Sequence, residues 1–242
     1  MNIILSGYGQ MGKMIHSLAA DYNTEVKGYI GKSNFHQFDV IEKADVVVDF
    51  SHPAMLPHIA AYVKKHGCAL CCGTTGYGNN EHSLLREISR YGPVLYSANF
   101  SLGIAVFRRV LEQISPVFLP DFDVEIVETH HRKKADSPSG TAKLLADSID
   151  PAHKLKRISG REGMCGARPK DEIAVLASRG GTVAGRHTVS FFGDDEIFSV
   201  THEAGSRRIF AAGALRCAGA LSGNAPGLYT IDEILFNKPA GA

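Results

Sequence analysis

The sequence predicts an α/β protein, with a doubly wound N-terminal domain on a parallel sheet and a smaller α+β domain with a mixed sheet. Three observations predict it. Strand-like and helix-like runs alternate through the first hundred or so residues. The strand-like runs there are continuously apolar, as expected of parallel strands covered by helices on both faces. Beyond them, several strand-like runs follow one another across short turns, which suits a mixed or antiparallel sheet.

Taken in order, "NIILS" is a short apolar strand, followed by a glycine-rich turn and the helix-like "QMGKMIHSLAADY". "EVKGYI" and "ADVVVDFS" are the second and third strands. "PAMLPHIAAYVKKHG" is a helix, with prolines near its start and a glycine at its end. "CALCCGTTG" is a strand ending in a turn, "NEHSLLREISRYG" a helix and "PVLYSANF" a fifth strand. The helix "SLGIAVFRRVLEQISPVF" then leads into the strand "DFDVEIVETH" and the helix "SGTAKLLADSI". A glycine- and charge-rich loop, "SGREGMCGARPKD", precedes three strand-like runs, "EIAVLASRG", "TVAGRHTVSFFG" and "EIFSVTHEAG". The helix "RIFAAGALRCAGALSG" and the tail "GLYTIDEIL" close the chain. The expected domains are residues 1–100, 101–208 and a C-terminal segment, 209–242, that packs back on the first.

Composition excludes several function classes. The 242 residues are 44% hydrophobic and 21% charged, with 26 Lys and Arg against 25 Asp and Glu. No basic run exceeds Arg132-Lys133-Lys134, so neither nucleic acid nor a membrane surface is an expected partner. No apolar run nears the roughly 18 residues that span a bilayer. "MNIILSGYGQMG" has none of the features of a signal peptide. Five cysteines, three of them in "CALCC", argue against a secreted disulfide framework and for a cytoplasmic protein. Cys68 and Cys71 have C-x-x-C spacing without a second close pair. They are expected to be buried strand residues, and no metal site is expected.

Gly7, Gly9 and Gly12 in "SGYGQMGKM" have G-x-G-x-x-G spacing between a strand and a helix. That context suits a dinucleotide: a tight turn at Gly7, close approach of a pyrophosphate at Gly9, and tight helix–strand packing at Gly12. Tyr8, Gln10 and Met11 lie in the same turn. The acid expected about 20 residues on is missing. Lys32 and Ser33 stand there instead, either to receive a 2′-phosphate or as ordinary solvated residues. Gly73-Thr74-Thr75 and Ser97-Ala98-Asn99-Phe100 end the fourth and fifth strands, where cofactors bind such sheets.

The stretch "ETHHRKKADSPSGTA", residues 128–142, carries the reactive side chains. In a strand, Phe122, Val124, Ile126, Glu128 and His130 share one face, and His131 points to the other. Histidine is a suitable proton donor near neutral pH. Lys134 is a candidate second cation and Asp136 a candidate orienting partner. Ser139-Gly140-Thr141 opens a helix whose N–H groups suit a carboxylate. Together these suggest a small di-acid substrate. The loop around Arg161, Glu162 and Arg168 is either a mobile cover or an oligomer contact.

This stretch resembles the signature of the 4-hydroxy-tetrahydrodipicolinate reductase (dihydrodipicolinate reductase) family. The resemblance runs through "GYGQMG", "DFS", "GTTG", "SANFS", "SRGGTVAGRHTVSFFG", "THEAGSRRIFAAGAL" and "GLYTIDEIL". It implies a Rossmann-like N-terminal domain closed by the C-terminal segment, and a mixed-sheet domain that forms a homotetramer. It also implies NADPH- or NADH-dependent reduction of 4-hydroxy-tetrahydrodipicolinate to tetrahydrodipicolinate, in the diaminopimelate route to lysine. By position, His130 resembles the family's catalytic proton donor and Lys134 its cationic partner. His131, Gly140 and Thr141 resemble substrate-binding residues. Gly7 to Gly12, Gly73 to Thr75 and Ser97 to Phe100 resemble the cofactor loops. Many members carry a basic residue at Gln10 and several an acid at Gly31, positions that bear on cofactor choice. Two alternatives are another two-domain nicotinamide oxidoreductase and a cofactor-binding sensor without catalysis. The first has no need of His-His-x-x-Lys joined to Ser-Gly-Thr, and the second has no need of His130 and Lys134.

Overall fold

A computed structural model of the chain describes residues 1–236, so the last six residues of the expected C-terminal segment lie outside it. The chain forms two compact units, Met1–Leu102 with the described part of Arg208–Ala242, and Gly103–Arg207.

The first unit is built on a six-stranded sheet. Its strands are β1 (Asn2–Ser6), β2 (Glu25–Ile30), β3 (Val46–Asp49), β4 (Ala69–Cys72), β5 (Pro93–Tyr96) and β11 (Gly227–Tyr229), in the order β11-β5-β4-β3-β1-β2. Every pairing is parallel. Successive residues alternate between two cores, which explains the unbroken apolar runs. Ile3, Leu5, Val46, Val48, Ala69 and Cys71 face α1 (Gln10–Leu18) and α6 (Arg208–Leu221). Ile4, Val47, Leu70, Cys72 and Val94 face α2 (Leu56–His66) and α3 (Asn79–Ile88). The small residues of α6 permit a close approach: a Cβ on Gly213 would lie 1.7 Å from the Phe100 carbonyl oxygen. The short helix α7 (Ile231–Phe236) buries Ile231 and Ile234 in the same core.

The second unit carries a mixed five-stranded sheet, β10-β9-β6-β8-β7. Here β6 (Asp123–His130) runs parallel to β8 (Glu172–Arg179) and antiparallel to β9 (Arg186–Phe192), which pairs with β10 (Ile197–Glu203). Strand β7 (Lys156–Ile158) lies beside β8. Val124, Ile126, Ile173, Val175, Val189 and Phe191 pack under α4 (Leu102–Phe118) and α5 (Gly140–Ile149). The opposite face holds hydroxyl pairs, Thr188 with Thr201 and Ser190 with Ser199, at 3.0 and 2.8 Å.

Several elements differ from expectation. Strands β7 and β11 are three residues each, too short to leave a periodicity, and exist only because a longer strand lies alongside. The first helix ends at Leu18 and continues as a 3-10 turn over Ala19–Tyr22. The second is preceded by a 3-10 turn, Pro53–Met55. Strand β9 starts at Arg186, four residues later than the run "TVAGRHTVSFFG" suggests, because Gly180–Gly185 forms a turn. Among the described residues, no helix is long and apolar enough to cross a membrane.

Candidate active site

The reactive cluster grows from the end of β6. Alternation buries Val124, Ile126, Glu128 and His130 on the helix-covered face. Glu128 is wholly buried, and a carboxylate there needs compensation. Arg179 supplies it with a bidentate pair, Nη1 to Oε2 at 2.8 Å and Nη2 to Oε1 at 2.9 Å. The Ser139 N–H donates to Oε1 at 2.9 Å, and His130 Nδ1 lies 2.5 Å from Oε2. Burial alone would raise the Glu128 pKa. The hydrogen bonds from Arg179, His130 and Ser139 outweigh it and hold the carboxyl below its ordinary range. An ionised carboxylate only accepts, so Nδ1 of His130 is the donor.

His187 stands opposite Glu128 in the β6–β9 register. Its ring meets that of His130 edge-on at 5.1 Å, and its Nε2 lies 3.2 Å from the Ser139 hydroxyl. Burial first, and His130 second, lower its pKa to about 4, so His187 is neutral at physiological pH. One nitrogen or oxygen from each of Glu128, His130 and His187 lies within 4.8 Å of the others, a spacing that a metal ion would also accept. Both Glu128 oxygens already accept two hydrogen bonds each, so protons and a guanidinium close the cluster.

Strand β6 ends at His130. His131 therefore starts the following turn, half-buried, with Nε2 3.2 Å from Arg207 Nη2. Lys134 pairs with Asp136 at 2.7 Å, and Lys134 is the main cause that keeps the Asp136 pKa low. Gly140 opens α5 with its backbone exposed, and a Cβ there would touch nothing within 4 Å. Thr141 follows in the first turn, half-buried. Ser139 differs from expectation. It is 1% exposed, its N–H goes to Glu128, and its hydroxyl caps α5 by accepting from the Ala142 N–H at 3.1 Å. It holds the helix start in place and offers no open surface.

Glu128, Arg179, His187 and Arg207 were not singled out by the sequence. Strand periodicity does put Glu128 beside His130. Arg179 and His187 lie some fifty residues downstream and are delivered by strand pairing alone. The loop arginines are pinned to the other face of β6: Arg161 pairs with Glu125 and Glu172, and Arg168 with Asp123.

In the first unit, Gly7 has φ +89°, and a Cβ on it would stand 2.5 Å from the Phe50 carbonyl oxygen. A Cβ on Gly12 would stand 2.1 Å from the Gly7 carbonyl oxygen, whereas one on Gly9 would meet nothing. Tyr8 stacks on Tyr29 at 4.1 Å, and Gln10 and Met11 begin α1. Lys32 is exposed just beyond β2. Gly73 gives room to the Phe50 ring, which a Cβ would approach to 2.3 Å. Thr74 differs from expectation. It is buried, donates its hydroxyl to Asp49 Oδ2 at 2.6 Å and accepts the Ser51 N–H at 2.8 Å. Asp49 also accepts from the Ser51 hydroxyl, so the ends of β3 and β4 are tied together. Thr75 is the exposed threonine of the pair. Ser97 and Asn99 hydrogen-bond each other in a closed turn, Ala98 is exposed, and Phe100 is buried against Phe50. Cys68, Cys71 and Cys72 are buried, and burial pushes the Cys68 thiol up to about 12.

The family model described as dihydrodipicolinate reductase, N-terminus, matches residues 1–100, and that described as dihydrodipicolinate reductase, C-terminus, matches residues 103–235. The chain is 39% identical to the 4-hydroxy-tetrahydrodipicolinate reductase of Campylobacter lari over 232 residues, 94% of this chain and 95% of the relative. It is 45% identical to that of Sulfurovum sp. (strain NBC37-1) over 201 residues, 81% and 78% of the two chains. The solved structure of dipicolinate-bound dihydrodipicolinate reductase from Paenisporosarcina sp. TG-14 shares the fold, with TM-score 0.78 and 21% identity. It covers 98% of this chain and 99% of its own.

Proposed function

Since the chain belongs to the dihydrodipicolinate reductase family, we propose that it reduces 4-hydroxy-tetrahydrodipicolinate to tetrahydrodipicolinate with a nicotinamide cofactor, in the diaminopimelate route to lysine. Overall, one substrate, one reduced cofactor and one proton give tetrahydrodipicolinate, oxidised cofactor and water. The observation that carries the reading for this chain is the buried Glu128 that holds His130 by Nδ1 and leaves Nε2 as the nitrogen able to give a proton.

The first unit fits a dinucleotide. Gly7 and Gly12 fill positions where any side chain would collide, and Gly9 leaves open backbone at the N-terminus of α1. The residues that would hold it are Gly7, Tyr8, Gly9, Gln10, Met11 and Gly12, then Gly73, Thr75, Ala98 and Asn99, with Thr74, Ser97 and Phe100 shaping the turns behind them. When bound, the nicotinamide supplies the hydride. No acid replaces Lys32 and Ser33 beyond β2, which favours NADPH while leaving NADH usable.

In the second unit, His130 delivers the proton from Nε2, and Lys134 stabilises negative charge developing on the substrate. His131, Gly140 and Thr141 bind its carboxylates, aided by the helix N-terminus. Val127, Phe192 and Ile197, exposed to 45%, 39% and 64% on the mixed sheet, suit subunit contacts in a cytoplasmic homotetramer. The test is a coupled assay in which the preceding synthase makes the substrate in place and NADPH and NADH oxidation are followed separately. Substrate-dependent oxidation, faster with NADPH, is expected; no oxidation with either would overturn the reading.

A further inference from the structure

We propose that Glu128 and Arg179 form one positioning pair for His130: the carboxylate fixes which imidazole nitrogen keeps its proton, and the guanidinium offsets the carboxylate's charge. The inference rests on the reading of His130 as proton donor and deepens it.

The strand registers assemble the pair. Arg179 lies opposite His130 across β6 and β8, and Glu128 sits two residues before His130 on the same buried face. Each Glu128 oxygen accepts one hydrogen bond from Arg179 and one more, from His130 Nδ1 on Oε2 and from the Ser139 N–H on Oε1. With Nδ1 held in that contact, Nε2 is the nitrogen left to exchange a proton. Gly185 spares that nitrogen a side-chain contact, since a Cβ there would stand 3.0 Å from Nε2 and 3.4 Å from Cδ2.

Charge makes the second half of the case. The ionisable groups around His130 are Glu128 on its own strand, Arg179 from β8 and His187 from β9, while Lys134 and Asp136, paired in the following turn, act on His187 and on Arg179. His202 on β10 acts on the cluster through His187. An ionised Glu128 with no other cation would hold the imidazolium proton firmly and oppose its release. Arg179 offsets that charge, and its Nη2 also grips the Asp136 carbonyl at 2.6 Å, in the turn that carries Lys134. Removing either member should therefore move proton release in opposite directions.

The test uses the full-length protein with Glu128→Gln, Arg179→Gln and Arg179→Lys. A general acid works while protonated, so its rate falls as pH rises. The alkaline limb of turnover should move to lower pH in Glu128→Gln and to higher pH in Arg179→Gln, each by about one unit or more. Arg179→Lys, which keeps a cation, should stay near the wild-type position. A purely structural role would lower melting temperatures and leave all limbs where they are, and that result overturns the proposal. Nitrogen-15 NMR of the His130 ring in the unmodified protein gives an answer independent of activity and of any variant. A proton on Nδ1 in the neutral ring is expected, and a neutral ring protonated on Nε2 overturns the positioning role. Absence of reduction by the wild type would sink the proposed function alone and leave this spectrum to decide the pair.

Discussion

The backbone N–H of Ser139 donates to Oε1 of Glu128 at 2.9 Å, so the residue that caps α5 is held by the same carboxylate that holds His130. One buried charge thus sets both the ring and the helix start from which Gly140 and Thr141 follow. Ser139→Ala removes only the hydroxyl and keeps that N–H. It should cost about 1 kcal/mol through the lost cap, read as a lower urea midpoint, with KM for the substrate little changed. A large rise in KM at unchanged stability would make Ser139 a ligand of the substrate.

His130→Gln should lower turnover by roughly 10²–10⁴-fold, the usual worth of a positioned general acid. Its affinity for NADPH should match the wild type, because the glycine turn proposed to hold the dinucleotide belongs to the other unit. Stopped-flow turnover and fluorescence titration of NADPH measure the two quantities. Near-normal turnover would remove His130 from the role.

Lys134→Ala deletes the cation paired with Asp136. Loss of a hydrogen bond to a charged group is worth roughly 1.5–3 kcal/mol, so kcat/KM should drop about 10- to 100-fold, with KM raised. An unchanged KM in steady-state kinetics would contradict a contact between Lys134 and a substrate carboxylate.

The glycine turn separates packing from binding. Gly12→Ala places a methyl 2.1 Å from the Gly7 carbonyl oxygen and should lower the melting temperature clearly. Gly9→Ala meets no protein atom within 4 Å and should melt like the wild type. It should nevertheless weaken NADPH binding, because its methyl occupies the space proposed for the pyrophosphate. Equal NADPH affinity in Gly9→Ala and wild type would place the dinucleotide elsewhere.

Acid should destabilise the second unit early. The folded pKa of His187 is lowered from the ordinary 6.5 to about 4. Between those values the unfolded chain binds a proton that the folded chain does not, so stability rises with pH there. It is fully present above pH 6.5 and lost as pH falls toward 4, by on the order of 3 kcal/mol at about 1.4 kcal/mol per unit. Glu128, lowered in the folded state, adds a loss only further down, as pH falls through its own lowered value. Urea midpoints at pH 7 and pH 5 should differ more for the wild type than for His187→Gln, and equal differences would refute the assignment.

The sequence alone determined the order of the longer strands and helices, the change from a parallel sheet to a mixed or antiparallel one, and the two chemically loaded segments. Those features are local. An unbroken apolar run reports a strand covered on both faces, the first and last glycines of a G-x-G-x-x-G turn report backbone that admits no side chain, and period-two alternation places Glu128 beside His130. It missed β7 and β11, because three residues carry no period and are strands only by virtue of a neighbour. It also offered Ser139 and Thr74 as ligand contacts. Their hydroxyls suit that work, but the Thr74 hydroxyl is taken up by Asp49, 25 residues back in the chain, and the Ser139 hydroxyl by the Ala142 N–H and His187. The tertiary structure alone decided that Arg179 and His187 close around Glu128. Strand pairing across about fifty residues brings them there, and a buried carboxylate must draw its donors from whatever strands lie alongside.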